Sequence, residues 1–174
     1  MKLSRIKCLT ITALCVALCV VLPMAFHMIP NAGSVMLPMH IPVLLCGFLC
    51  GGGWGAAVGF TAPLLRHLLF GMPPMPGCIS MALELATYGF VVGLLHRKLG
   101  KGVKGIYVSL ICAMAAGRLV WGIAQMAIMG LNGGSFPFSA FVAGAFTSAI
   151  PGIVLQLVLL PILVRALEKA GVKA

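Results

Sequence analysis

Carboxylates are almost missing from this chain. Its 174 residues hold two acidic side chains, Glu84 and Glu168, and charged residues of either sign make up 8% of the whole. A soluble domain of this length covers its surface with mixed charge, and two carboxylates cannot do that. The scarcity also argues against metal-assisted phosphoryl transfer, which gathers several carboxylates around an ion. The sequence contains no Gly-x-Ser-x-Gly elbow and no His-Glu-x-x-His pair, so the usual signs of a small polytopic membrane enzyme, the main alternative class, are lacking. It also lacks a Gly-x-x-x-x-Gly-Lys-Ser/Thr phosphate loop and therefore carries no such ATP-hydrolysing element of its own. Repeated rings of charge, which would line a channel, are absent as well.

Hydrophobic residues are what the chain has instead. They make up 61% of it, and apolar runs recur from Cys8 to Val164 with no polar domain between them. This is the composition of an integral membrane protein. A formal net charge of +10 would suit nucleic acid, but the placement of the charges favours a membrane and no nucleic-acid partner. Ten of the twelve Lys and Arg fall into three clusters: Lys2, Arg5 and Lys7; Arg97, Lys98, Lys101 and Lys104; Arg165, Lys169 and Lys173. An even number of crossings between clusters puts all three on one side, which the positive-inside rule makes the cytoplasm. The Pro/Gly-rich turns at 30–40, 71–77 and 130–138 carry no Lys or Arg and face outward.

The predicted fold is all-α: one transmembrane domain over 1–174, a compact bundle of six transmembrane helices in the cell membrane, both termini cytoplasmic. The crossings run from about Cys8 to His27, Ile41 to Cys50, Trp54 to Phe70, Gly77 to Leu95, Ile106 to Met129 and Ser139 to Val164, with a reversal at Gly51-Gly52-Gly53. The second is too short for a hydrocarbon core of about 30 Å, so segments two and three are alternatively one kinked helix with a short re-entrant piece. The first apolar run has no small-x-small site at its end and is expected to stay attached. The seven Cys follow no metal spacing; neither disulfide, metal nor cofactor is expected.

Small residues recur every fourth position: Ala13 and Ala17; Gly47, Gly51, Gly55 and Gly59; Gly89 and Gly93; Ala140, Gly144, Ser148 and Gly152. That spacing stacks them on one helix face, where backbones can approach closely. Internal packing accounts for most of them, and a contact with a separate subunit is the alternative for the first helix.

Polar residues inside the apolar runs mark the candidate site. Arg118 lies near the middle of the fifth crossing, and Glu84 lies roughly 10 Å below the outer end of the fourth. The two can pair if their helices are neighbours, either as a structural clamp or as a site wall. Ser80, Glu84, Thr87 and Tyr88 share one face, and Arg118, Trp121 and Gln125 another, which Asn132 continues outward. Arg66, His67 and His40 stand at outer ends of their crossings. Together these residues suggest a polar hollow, open outward, for a water-soluble small molecule. Its arginines suit an anionic group.

The block "LPMHIPVLLCGFLCGGGWGAAVGFTAPLLRHLLFGMPPMP" followed by "MALELATYGFVVGLL" resembles the substrate-binding S components of energy-coupling factor (ECF) vitamin transporters, most closely the pantothenate branch. The resemblance implies a subunit that binds a vitamin at its outer face and releases it inside. Pantothenate is favoured, with a cobalamin precursor, riboflavin or folate as alternatives. It also implies a transmembrane scaffold subunit and two ATPase subunits as partners, the scaffold gripping the first helix at Ala13 and Ala17.

Overall fold

A computed structural model of the protein describes residues 4–25, 36–100, 102–131, 137–144 and 149–172. Their regular structure is helical: α1 (Arg5–Ala25), α2 (His40–Cys50), α3 (Gly52–Phe70), α4 (Gly77–Leu99), α5 (Val103–Leu131), the short α6 (Phe138–Val142) and α7 (Ile150–Lys169). Four of these, α1, α4, α5 and α7, are long and apolar enough to cross a membrane. A helix is the natural form for such segments, because in hydrocarbon each backbone N–H and C=O must find its partner within the protein.

Three of the six expected crossings come out differently. The third, α3, is not among the helices long and apolar enough to cross a membrane. The second is α2, only 11 residues long or roughly 16 Å, about half of a hydrocarbon core. With α3 it forms a hairpin, not one kinked helix. Gly51, the single residue between them, has φ 97°, a conformation open to glycine and strained for L side chains, and its N–H donates to the Gly47 carbonyl oxygen at 3.0 Å. The sixth does not run as one helix from Ser139. Helix α6 passes into π geometry at Ala143 and Gly144, residues 145–148 lie outside the described residues, and α7 opens at Ile150 after its cap residue Ala149. Pro151 lies in the first turn of α7, where its missing N–H costs nothing and its fixed φ suits a helix start.

Glycines set how the hairpin meets α4. A Cβ on Gly55 would lie 2.7 Å from both the Gly47 Cα and the Gly89 carbonyl oxygen, and one on Gly52 would lie 2.6 Å from the Phe90 carbonyl oxygen. The three backbones touch directly, so the four-residue spacing in α2, α3 and α4 serves internal packing. On α1 the arrangement is different. Cys8, Cys15 and Cys19 are buried toward α2, whose Cys46 and Cys50 are buried too, whereas Ala13 and Ala17 are exposed on the far side. The thiols fill the seam as small apolar groups, and all seven cysteines are free.

The bundle has one basic end. There Arg97 donates from Nη2 to the Cys50 carbonyl oxygen at 3.2 Å, the Cys50 thiol approaches the Cys8 carbonyl oxygen at 3.9 Å, and His96 Nε2 meets Glu168 Oε1 at 3.4 Å. These contacts gather the described members of all three basic clusters; Lys2, Lys101 and Lys173 lie outside the described residues. At the opposite end Cys19 donates to the Met39 carbonyl oxygen at 3.4 Å, and Cys78 to that of Pro63 at 3.4 Å.

Candidate functional site

The end away from the basic clusters holds a cavity of about 680 Å³, within the size range of small-molecule sites. One rim is the turn before α2, where Leu37 adopts φ 50°, a left-handed conformation costing on the order of 1–3 kcal/mol and found where surrounding structure enforces it. A second rim is the segment from Met72 to Gly77, whose prolines and methionines line the space. His67 Nδ1 donates to the Pro73 carbonyl oxygen at 2.7 Å, tying that segment to the last turn of α3 and fixing the ring tautomer.

The polar wall comes from three helices. Glu84 of α4 is 3% exposed, and its Oε1 lies 3.0 Å from Arg118 Nη1 of α5 and 3.5 Å from His40 Nε2 of α2. Tyr88, one turn inward of Glu84, supports His40 edge-on with ring centroids 5.1 Å apart. Gly117 precedes Arg118, and a Cβ there would lie 3.1 Å from the Tyr88 ring. The missing side chain thus lets α5 close on α4 and presents the guanidinium to the carboxylate.

The Glu84 carboxylate occupies only part of the donor capacity around it. Arg118 Nε and Nη2 and Arg66 Nε are buried with no hydrogen-bond partner. Arg66 directs Nη1 at the Met39 thioether, 3.8 Å away, a weak acceptor. A buried donor left unpaired costs about 1–3 kcal/mol. The wall therefore carries two guanidiniums against one carboxylate, with fork nitrogens left to grip an oxyanion. Trp121 stacks on Phe141 of α6 with centroids 6.2 Å apart, and Gly144 sits so close that a Cβ would lie 2.7 Å from the indole.

Of the residues singled out in the sequence, His40, Arg66, Glu84, Arg118 and Trp121 line this cavity together. Tyr88 lies beneath it as a support and not in its lining. Gln125 is half-buried one turn outward of Trp121 and is not among the lining residues. Asn132 lies outside the described residues. Ser80 and Thr87 donate to the carbonyl oxygens of Gly77 and Leu83 on their own helix, at 2.9 Å and 2.8 Å, so neither offers its proton to a ligand. Sequence reasoning missed the methionines: Met39, Met72, Met75 and Met81 all line the cavity. Charge and aromaticity drew attention within an apolar chain, whereas Met looks like ordinary membrane filler. The signal available was its recurrence beside proline in the two outer turns.

A protein-family model, "ECF transporter, substrate-specific component", matches residues 7–164. No curated protein and no solved structure matches the chain. The family match covers more than half of the sequence and agrees with the long apolar helices and with a cavity of small-molecule size. The chain belongs to the substrate-specific components of ECF transporters, membrane subunits that bind the transported molecule and are not enzymes.

Proposed function

We propose that this protein binds a water-soluble vitamin bearing an anionic group in the cavity between α2, α3, α4 and α5, and delivers it to the cytoplasm. A scaffold subunit and two ATPase subunits drive the delivery. One observation carries the reading: Arg118, paired at 3.0 Å with Glu84, keeps two further buried nitrogens without partners on the wall of the cavity. A carboxylate would satisfy both. Pantothenate, which the resemblance favours, has one. The test is the melting temperature of the solubilised protein across a panel of water-soluble vitamins. A true ligand at a hundred times its Kd contributes about 2.7 kcal/mol of stability, and a panel without any upward shift would sink the proposal.

Partner docking is assigned to the exposed Ala13 and Ala17 face of α1. Ala13→Trp is expected to abolish uptake in cells and to leave vitamin affinity of the isolated protein unchanged, because the added ring projects away from the thiol-filled seam. Lost affinity would mean that the ring disturbs the protein's own packing.

The outward-facing cavity and inward-facing basic end imply a definite topology. In a background stripped of native Cys, an impermeant thiol reagent is expected to mark cysteines placed at 31–36 and 132–135 from outside, and those at 99–104 only from inside. Outside labelling of 99–104 would reverse the orientation.

A further inference from the structure

A second hollow, about 430 Å³, lies at the basic end between the starts of α1 and α3 and is lined by Arg5, Ile6, Leu9 and Trp54. We infer that it holds one anionic phospholipid, the headgroup phosphate on Arg5 and an acyl chain descending past Ile6 and Leu9. This is independent of what the opposite cavity binds.

The argument begins with charge. The protein has two side-chain carboxylates. Glu84 is taken by Arg118 and His40, and Glu168 by His96. Among the described residues no carboxylate is within ion-pair distance of Arg5, so none of them supplies a counter-charge to its guanidinium. Geometry then selects the kind of partner. Arg5 opens α1; Leu9 lies one turn deeper, roughly 6 Å along the axis; Ile6 and Leu9 are 77% and 58% exposed. Trp54, the third residue of α3, stands at the depth where indoles settle at a membrane border. The groove thus grades from cation to hydrocarbon within one helical turn, which matches an amphiphile with phosphate at one end and a chain at the other.

Beyond Leu9 the exposed line continues through Ala13, Ala17 and Val21 at steps of four, a shallow track along which a chain can lie. An acidic peptide segment fits this profile poorly, since an extended backbone laid along Ile6 and Leu9 leaves amides unpaired in hydrocarbon. A diffuse basic surface does not explain it either, because only Arg5 of the seven described basic residues at this end lines the hollow. A lipid seated there shares the α1 face proposed for partner docking, so docking would displace it.

The test uses the two tryptophans, Trp54 and Trp121. In the full chain carrying Trp121→Phe, Trp54 is the only indole, and phospholipids brominated on the acyl chain quench it on contact. Brominated phosphatidylglycerol is expected to reach half-quenching at about five-fold lower mole fraction than brominated phosphatidylcholine, the preference expected of one basic residue near the surface. Arg5→Gln should abolish the preference, and Arg165→Gln, at the same end but outside the groove, should keep it. If Trp121→Phe does not yield folded protein, native mass spectrometry of the unmodified chain and of Arg5→Gln counts retained phosphatidylglycerol directly, with one tightly held molecule expected only in the former. Equal quenching by both lipids overturns the proposal, as does an equal loss in Arg165→Gln. It fails equally if Arg5→Gln weakens assembly with the partner subunits while lipid preference is unchanged, which would make the groove a protein-docking site.

Discussion

Arg118→Met is expected to eliminate ligand binding and to lower stability by about 3–5 kcal/mol, the usual result of stranding one member of a buried ion pair. Glu84 is 3% exposed, and without the guanidinium 3.0 Å away only His40 would remain to offset its charge. Arg118→Lys keeps the charge but not the planar fork. It should fold nearly normally yet bind one to two decades more weakly, since a hydrogen bond to a charged group is worth about 1.5–3 kcal/mol. The informative variant is the double one. Arg118→Met with Glu84→Gln removes both charges, so melting temperature should largely recover, while affinity should not, because the nitrogens offered to the ligand are gone. Full recovery of binding in that variant would remove Arg118 from the site and leave the pair as a clamp only.

Gly89→Ala is expected to be strongly damaging for a change of a single carbon. Its new Cβ would run into the backbone of Gly55, with the Gly55 Cα only 2.8 Å away. No flexible side chain stands there to yield, so α3 and α4 must separate. Overpacking of this kind costs roughly 1–3 kcal/mol and sometimes more. Glu84 lies just over one turn along the same helix, so separation should also spread His40, Glu84 and Arg118 and weaken ligand binding. Gly53→Ala is the control. Nothing lies within 4 Å of a Cβ at that position, and replacing a helical glycine by alanine gains up to about 1 kcal/mol of helix propensity. Melting temperatures in detergent should fall sharply for the first and hold or rise for the second. Similar small effects in both would mean that the helices are not in backbone contact at Gly89.

The residues that were legible in advance are those whose meaning is local. A near absence of carboxylates, apolar runs and clustered Lys and Arg decide which solvent surrounds each segment, and solvent acts on one segment at a time. That determined the membrane, the helical class, the single basic end and the short second segment. The glycine reversal was readable for a similar reason, since Gly51 answers to its own φ. What lay beyond the sequence were relations between segments. The sequence offered a hollow shared by His40, Arg66, Glu84 and Arg118, but whether they meet, that Gln125 stays off its wall, and that four methionines line it depend on how each helix is rotated and how closely it approaches its neighbours. Those choices are made by backbone contacts at Gly47, Gly55, Gly89 and Gly117, where each glycine permits an approach but does not name its partner. The start of α7 at Ile150 belongs with them. Pro151 both permits a helix start and is tolerated inside a membrane helix when neighbouring groups re-satisfy the backbone, and only packing against the rest of the bundle selects between the two.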